Sequence, residues 1–78
     1  MTPNSLTPPE LGALVRRVRK AQSLRQDQLA GVAGVGLRFI VDLEAGKPTL
    51  QLGKVLGVLE ALGCRISISE PVGPGEVR

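Results

Sequence analysis

Residues 25–47, from Arg25 to Lys47, read RQDQLAGVAGVGLRFIVDLEAGK, and this stretch decides the fold. Leu29, Ala30 and Ala33 recur at helical spacing behind Gln26, and Gly34 stops the run, so a short helix is expected over Gln26–Ala33. A second is expected over Leu37–Ala45, with Ile40 and Leu43 inward and Gly46 as its left-handed terminator. Both starts are unusual. Arg25 stands where an N-cap hydroxyl or carboxylate belongs, which weakens the first helix by about 1 kcal/mol unless a neighbour substitutes. Gly36 and Leu37 open the second without a polar cap.

Toward the N-terminus, Thr7-Pro8-Pro9-Glu10 carries a capping box and prolines at positions whose amides need no partner. Leu11, Leu14, Val15, Val18 and Ala21 then mark a helix from Pro8 to Gln22. Toward the C-terminus, Lys47-Pro48 is a turn and Thr49 is expected to cap a fourth helix running to Leu62. Its inward stripe reads Leu52, Val55, Leu56, Leu59 and Leu62, and Gly53 and Gly57 inside it point to a close approach of another backbone or simply to a GC-rich genome. Past Gly63 the period changes to two: Arg65-Ile66-Ser67-Ile68-Ser69 is a strand, with Ile66 and Ile68 on one face. The chain holds no second strand, so the partner must be another molecule, most simply a second copy. The expected division is a flexible 1–7, a helical domain 8–63, a dimerisation strand 64–70 and a mobile tail 71–78.

Composition closes off most other functions. A chain of 78 residues is one small domain, burying only about 60% of the surface its unfolded form exposes. One cysteine, Cys64, excludes an intrachain disulfide, and the absence of histidine removes the usual metal ligand and general base. No metal site, cofactor or enzymatic activity is expected. The glycines of Gly31–Gly36 follow a helix rather than a strand and lack the lysine of a phosphate loop. A single aromatic residue, Phe39, argues against a module that stacks single-stranded bases; core packing is its expected role. No uncharged run is long enough to span a membrane and no signal peptide opens the chain, so a cytoplasmic location is expected. The net charge of +3 is local: Arg16, Arg17, Arg19 and Lys20 face only Glu10 in residues 1–24. Such an excess hints at an anionic partner, or is a solvated face.

Two short helices across a tight glycine turn have helix-turn-helix geometry, whose second helix enters the DNA major groove. The residues carry the case further. Gln26, Leu29-Ala30, Ala33-Gly34-Val35, Ile40, Leu43-Glu44 and Gly46-Lys47, followed by Leu52, Leu59 and Leu62-Gly63, resemble the Cro/repressor-type (xenobiotic-response-element) helix-turn-helix family over residues 11–63. Arg38-Phe39-Ile40, Leu43-Glu44, Gly46-Lys47-Pro48-Thr49 and the C-terminal strand resemble HipB-like antitoxins most. The resemblance implies a mainly α, lambda-repressor-like bundle of four to five short helices, plus one C-terminal β-strand pairing across a homodimer. It implies base contacts from Leu37, Arg38 and Asp42, and phosphate contacts from Arg25, Gln26 and Lys47. Asp42 has an alternative role, orienting Arg38 one turn away. Arg19 and Glu44 match a family pair that forms a structural ion pair. The implied partners are a palindromic DNA operator, a second copy through Ile66 and Ile68, and a HipA-like serine/threonine-kinase toxin. A stand-alone regulator, and a protein-sequestering module with a vestigial helix-turn-helix, remain the alternatives.

Overall fold

The computed structural model describes residues 6–71; the expected flexibility of residues 1–5 and the mobile tail over 72–78 lie outside them. Four helices follow one another among the described residues: α1 (Pro8–Ala21), α2 (Gln26–Ala33), α3 (Leu37–Glu44) and α4 (Leu52–Ala61). The Thr7 hydroxyl accepts from the Glu10 amide at 3.3 Å, and the Glu10 carboxylate accepts from the Thr7 amide at 3.0 Å, closing the capping box of α1. Arg25 offers no acceptor, but the Gln28 side chain accepts from its backbone N–H at 2.8 Å, so half of a cap survives on α2.

Each helix ends in the same way. Paired 5→2 and 6→1 backbone bonds close the last turn, as Gly46 N–H to Leu43 O (3.1 Å) and Lys47 N–H to Asp42 O (3.0 Å) do for α3. The residue that must turn left-handed is Ser23, Gly34, Gly46 and Gly63 in order, with φ of 59°, 72°, 86° and 77°. Three are glycines; Ser23 carries the strain of a Cβ in that region.

α1 packs on α3, α3 on α2, and α2 on α4, around Val15, Leu29, Ala30, Ile40, Leu43, Val55, Val58, Leu59 and Leu62. Several sequence expectations need correction. Thr49 does not cap α4; Gln51 occupies the N-cap and its side chain makes no capping bond. The chain first carries Leu50 into contact with the core, and that burial outweighs a cap worth about 1 kcal/mol. The inward stripe of α4 is accordingly Val55, Val58, Leu59 and Leu62, at i, i+3, i+4 and i+7. Leu52 and Leu56 lie one row over and are 69% and 43% exposed. Gly53 and Gly57 meet no backbone within the chain: a Cβ at either would point into open space. Ala21 is exposed, and α1, α3 and α4 each stop one residue short of the expected end.

The close approach falls instead at Gly12. A Cβ there would sit 2.4 Å from the Leu43 carbonyl oxygen and 2.7 Å from that of Glu44, so α1 crosses the end of α3 with no room for a side chain. Residues 64–71 form no helix and pair with no strand among the described residues. Ile66 and Ile68 are 54% and 82% exposed in the single chain.

Candidate nucleic-acid interface

Gly12 brings the end of α3 against α1, and one charged cluster occupies that junction. Glu44, the last residue of α3, accepts from Arg19 Nε at 2.6 Å, from Arg19 Nη2 at 3.0 Å and from Gln26 Nε2 at 3.1 Å. Arg19 Nη1 donates to the Leu24 carbonyl at 2.8 Å. The Arg19 and Glu44 side chains are 8% and 4% exposed. The hydrogen bond to Glu44 raises the Arg19 pKa above its ordinary value, against the opposing effect of burial. One carboxylate thus ties together α1, the first turn of α2 and the last turn of α3, and fixes how the two short helices cross.

This clamp reaches the surface through Gln26. One amide hydrogen bond holds its side chain toward Glu44, which positions it at the start of α2, where the backbone N–H groups of the first turn have no partner within the helix. Arg25, beside it, turns onto Asp27 (3.0 Å) on an exposed surface. That hydrogen bond lowers the Asp27 pKa below its ordinary value, with burial opposing.

Along α3 the inward residues Ile40 and Leu43 fix which side faces out. Leu37 is half exposed at the first position, and Arg38 projects beside it into solvent. Asp42, one turn on, places Oδ1 3.1 Å from Arg38 Nε and Oδ2 3.8 Å from Lys47 Nζ. The closing turn after α3 is what brings Lys47 back to Asp42. Arg38, Asp42 and Lys47 therefore form one group at the outer edge of α3, while Arg19 and Glu44 sit behind it and Arg25 pairs separately. Phe39 is half buried against the core, with Lys54 of α4 standing 6.0 Å from its ring centroid. Neither Lys54 nor the link from Gln22 Nε2 to the Leu62 carbonyl (2.8 Å) is legible from spacing, because each joins helices distant in sequence. Among the described residues no cluster of His, Cys, Asp and Glu could hold a metal ion, and no helix is long and apolar enough to cross a membrane.

A helix pair joined by a three-residue glycine turn, with the second helix presenting its first turn outward, is a helix-turn-helix. Residues 15–68 match the helix-turn-helix family, and the chain belongs to it. It is 72% identical over 72 residues to an uncharacterised HTH-type transcriptional regulator, y4mF, of Sinorhizobium fredii (strain NBRC 101917 / NGR234), covering 92% of this chain and 91% of that protein. Among solved structures, the fold resembles a chain in a HipA-HipB-O2-O3 complex with a TM-score of 0.78. That match has 19% identity and covers 88% of this chain and 97% of that one. A HipB-O4 20mer complex matches with a TM-score of 0.77 at the same identity and coverage. The mainly α, HipB-like helix-turn-helix fold expected from the sequence is the fold observed.

Proposed function

We propose that this chain is a homodimeric, sequence-specific DNA-binding repressor, and the antitoxin of a HipBA-like operon. In this reading it represses its own promoter and neutralises a HipA-like serine/threonine-kinase toxin. The observation that carries the DNA-binding part is the placement of Leu37 and Arg38. They stand exposed on the first turn of α3, the end of a recognition helix that meets base edges, while the core behind them is closed. Arg38 can donate to guanine O6 and N7, and Leu37 can pack on a thymine methyl. Gln26 and the amides at the start of α2 face a phosphate, and Lys47 and Arg25 flank it. The ion pair Arg19–Glu44 is structural and holds this arrangement without touching DNA.

A second copy completes the site. The exposed Ile66 lines a groove with Leu11, Leu14, Leu52 and Leu56, and an antiparallel pairing of residues 65–69 with a second copy would cover it and the exposed Ile68. Two recognition helices set about 34 Å apart then read a palindrome. The antitoxin role is supported by the likeness to HipB, which is solved in a HipA-HipB-O2-O3 complex and in a HipB-O4 20mer complex.

The test is selection of sequence from random duplexes, followed by binding measurements on the selected site. Log affinity should fall with log salt at a slope of about −4 to −6 for a dimer making two or three phosphate contacts per subunit. Arg38→Ala should cost about 1–3 kcal/mol and relax one base per half-site, whereas Gln26→Ala should weaken all duplexes alike. Equal loss on selected and random duplexes for Arg38→Ala would refute the assignment. Coexpression with a HipA-like kinase tests the antitoxin role: the protein should form a complex with the kinase and relieve its toxicity.

A further inference from the structure

The outer edge of α3 carries a carboxylate where a DNA-binding surface would be expected to carry only cations. Asp42 lies 3.1 Å from Arg38 Nε and 3.8 Å from Lys47 Nζ. Its side chain is 18% exposed, against 83% for Arg38 and 50% for Lys47. The carboxylate is thus the more buried member of the group and the two cations are the more exposed ones. The Asp42 backbone also accepts from the Lys47 N–H at 3.0 Å, so one residue both ends α3 and holds the lysine beside it. The contact of Arg38 with the carboxylate is made through Nε.

We propose that Asp42 is a specificity-determining residue of the interface: its carboxylate acts as a built-in anion that screens Arg38 and Lys47 from phosphates while leaving Arg38 able to read a base. This role rests on the DNA-binding reading given above and deepens it. On a random duplex the only strong ligands for the two cations are phosphates, and a phosphate brought to them lies close to the Asp42 charge, which repels it. On the right sequence the ligand is a guanine edge, whose O6 and N7 carry partial charges only. Contact with Asp42 through Nε leaves both terminal nitrogens free for that bidentate pair. The carboxylate therefore subtracts more from non-specific binding than from specific binding, and it orients the arginine for the latter.

The experiment uses the full-length protein and compares Asp42→Asn with wild type on a selected operator and on random duplexes, across a salt series. Glu60→Gln serves as the control, since it removes an exposed negative charge on α4 that pairs with no cation among the described residues. Each phosphate newly engaged by Lys47 or Arg38 raises affinity about fivefold near 0.15 M salt and steepens the salt slope by about one. Asp42→Asn should therefore bind random duplexes at least about fivefold more tightly per subunit, with operator affinity changed by less than about threefold and discrimination reduced accordingly. Glu60→Gln should leave discrimination unchanged. Unchanged random-duplex affinity and salt slope overturn the proposal. A parallel rise on both duplexes overturns it as well, since that is a pure charge effect. Loss of operator affinity alone overturns it in favour of direct base reading by Asp42. A wild-type protein that selects no sequence refutes the DNA-reading role itself and the screening role with it; a selective wild type in which Asp42→Asn changes nothing refutes only the screening role.

Discussion

Replacing Glu44 by glutamine keeps the shape of the junction and removes its charge. In the native chain this carboxylate accepts three hydrogen bonds, two from Arg19 and one from Gln26, and the Arg19 side chain is only 8% exposed. A glutamine offers one acceptor oxygen in place of two, and its NH2 group faces the guanidinium as a second donor. The guanidinium then keeps only neutral acceptors, the Leu24 carbonyl and one amide oxygen, in a site from which water is largely excluded. Stranding a charge in this way costs about 3–5 kcal/mol. For a domain of this size each kcal/mol moves the melting temperature by about 4–8 °C, so a drop of at least about 12 °C is expected. The raised Arg19 pKa also sets how this stability depends on pH. Stability from a group whose pKa is raised on folding is fully present below its unfolded value and is lost only as pH rises through the folded one. The arginine contribution is therefore constant across the pH range in which the protein can be studied. The assay is thermal and urea unfolding of Glu44→Gln, Arg19→Met and the double variant Arg19→Met/Glu44→Leu. The double variant removes the buried charges together and should recover most of the lost stability. A Glu44→Gln protein melting within about 3 °C of wild type would refute the reasoning, as would a double variant no better than the worse single.

Other expectations follow from backbone geometry and exposure. Gly12→Ala should destabilise by about 1–3 kcal/mol despite the better helix propensity of alanine, because its Cβ meets two backbone carbonyls that no rotamer change can move. Gly31→Ala, where a Cβ meets nothing, should stabilise by about 0.5–1 kcal/mol, and urea midpoints compare the two directly. Ser23→Gly should stabilise by about 0.5–1 kcal/mol by relieving a left-handed φ of 59°; a lower melting temperature than wild type would show that Ser23 is unstrained. Ile68→Lys should leave the four-helix core folded and convert the proposed dimer to monomer in sedimentation, and a dimer of undiminished affinity would exclude residues 65–69 from the interface.

The helices were legible because their signals are local. The capping box at Thr7–Glu10, the glycine at the end of α2 and the 3.6-residue spacing of apolar side chains each act within a turn or two of chain. Reasoning failed where a distant residue decided the outcome. Thr49 has good capping chemistry, but Leu50 beside it has a place in the core, and one cap does not outweigh that burial. The α4 stripe contains five leucines and valines on two adjacent rows, and hydrophobicity alone does not say which row faces α2; Val58 settles it. The glycines that matter for packing are Gly12, at a position in α1 where the pattern simply skips a residue, and Gly46, which lies against the Pro9 backbone, whereas Gly53 and Gly57 in α4 attract attention and meet nothing among the described residues. In the site, Arg19 and Glu44 are 25 residues apart, and only family resemblance joins them on paper. Asp42 and Lys47 meet because a left-handed glycine turns the chain back after α3, and that motif is readable from Gly46 once the helix end is known.

In the dimeric DNA-binding reading proposed above, the charges of the candidate interface give the second copy its part. Arg25 is paired with Asp27, and Arg38 and Lys47 share Asp42, so within one subunit three cations face two carboxylates. The free cations of α1, Arg16, Arg17 and Lys20, lie off the helix-turn-helix and show no ion pair among the described residues. A surface so nearly neutral attracts DNA weakly, since non-specific affinity scales with the number of phosphates neutralised. Affinity must then come from base contacts, and one short helix offers few of them. Doubling the site across a two-fold axis doubles those contacts without doubling the association entropy, because the second half-site binds at an effective concentration set by the first. Monomeric protein should accordingly bind a half-site poorly and a full palindrome no better, while the dimer separates the two by orders of magnitude. The comparison of half-site with palindrome at one salt concentration, in wild type and in Ile68→Lys, measures this coupling. Equal preference for the palindrome in both proteins would mean that a single subunit carries the recognition, and that the neutrality of its surface is offset by contacts outside α2 and α3.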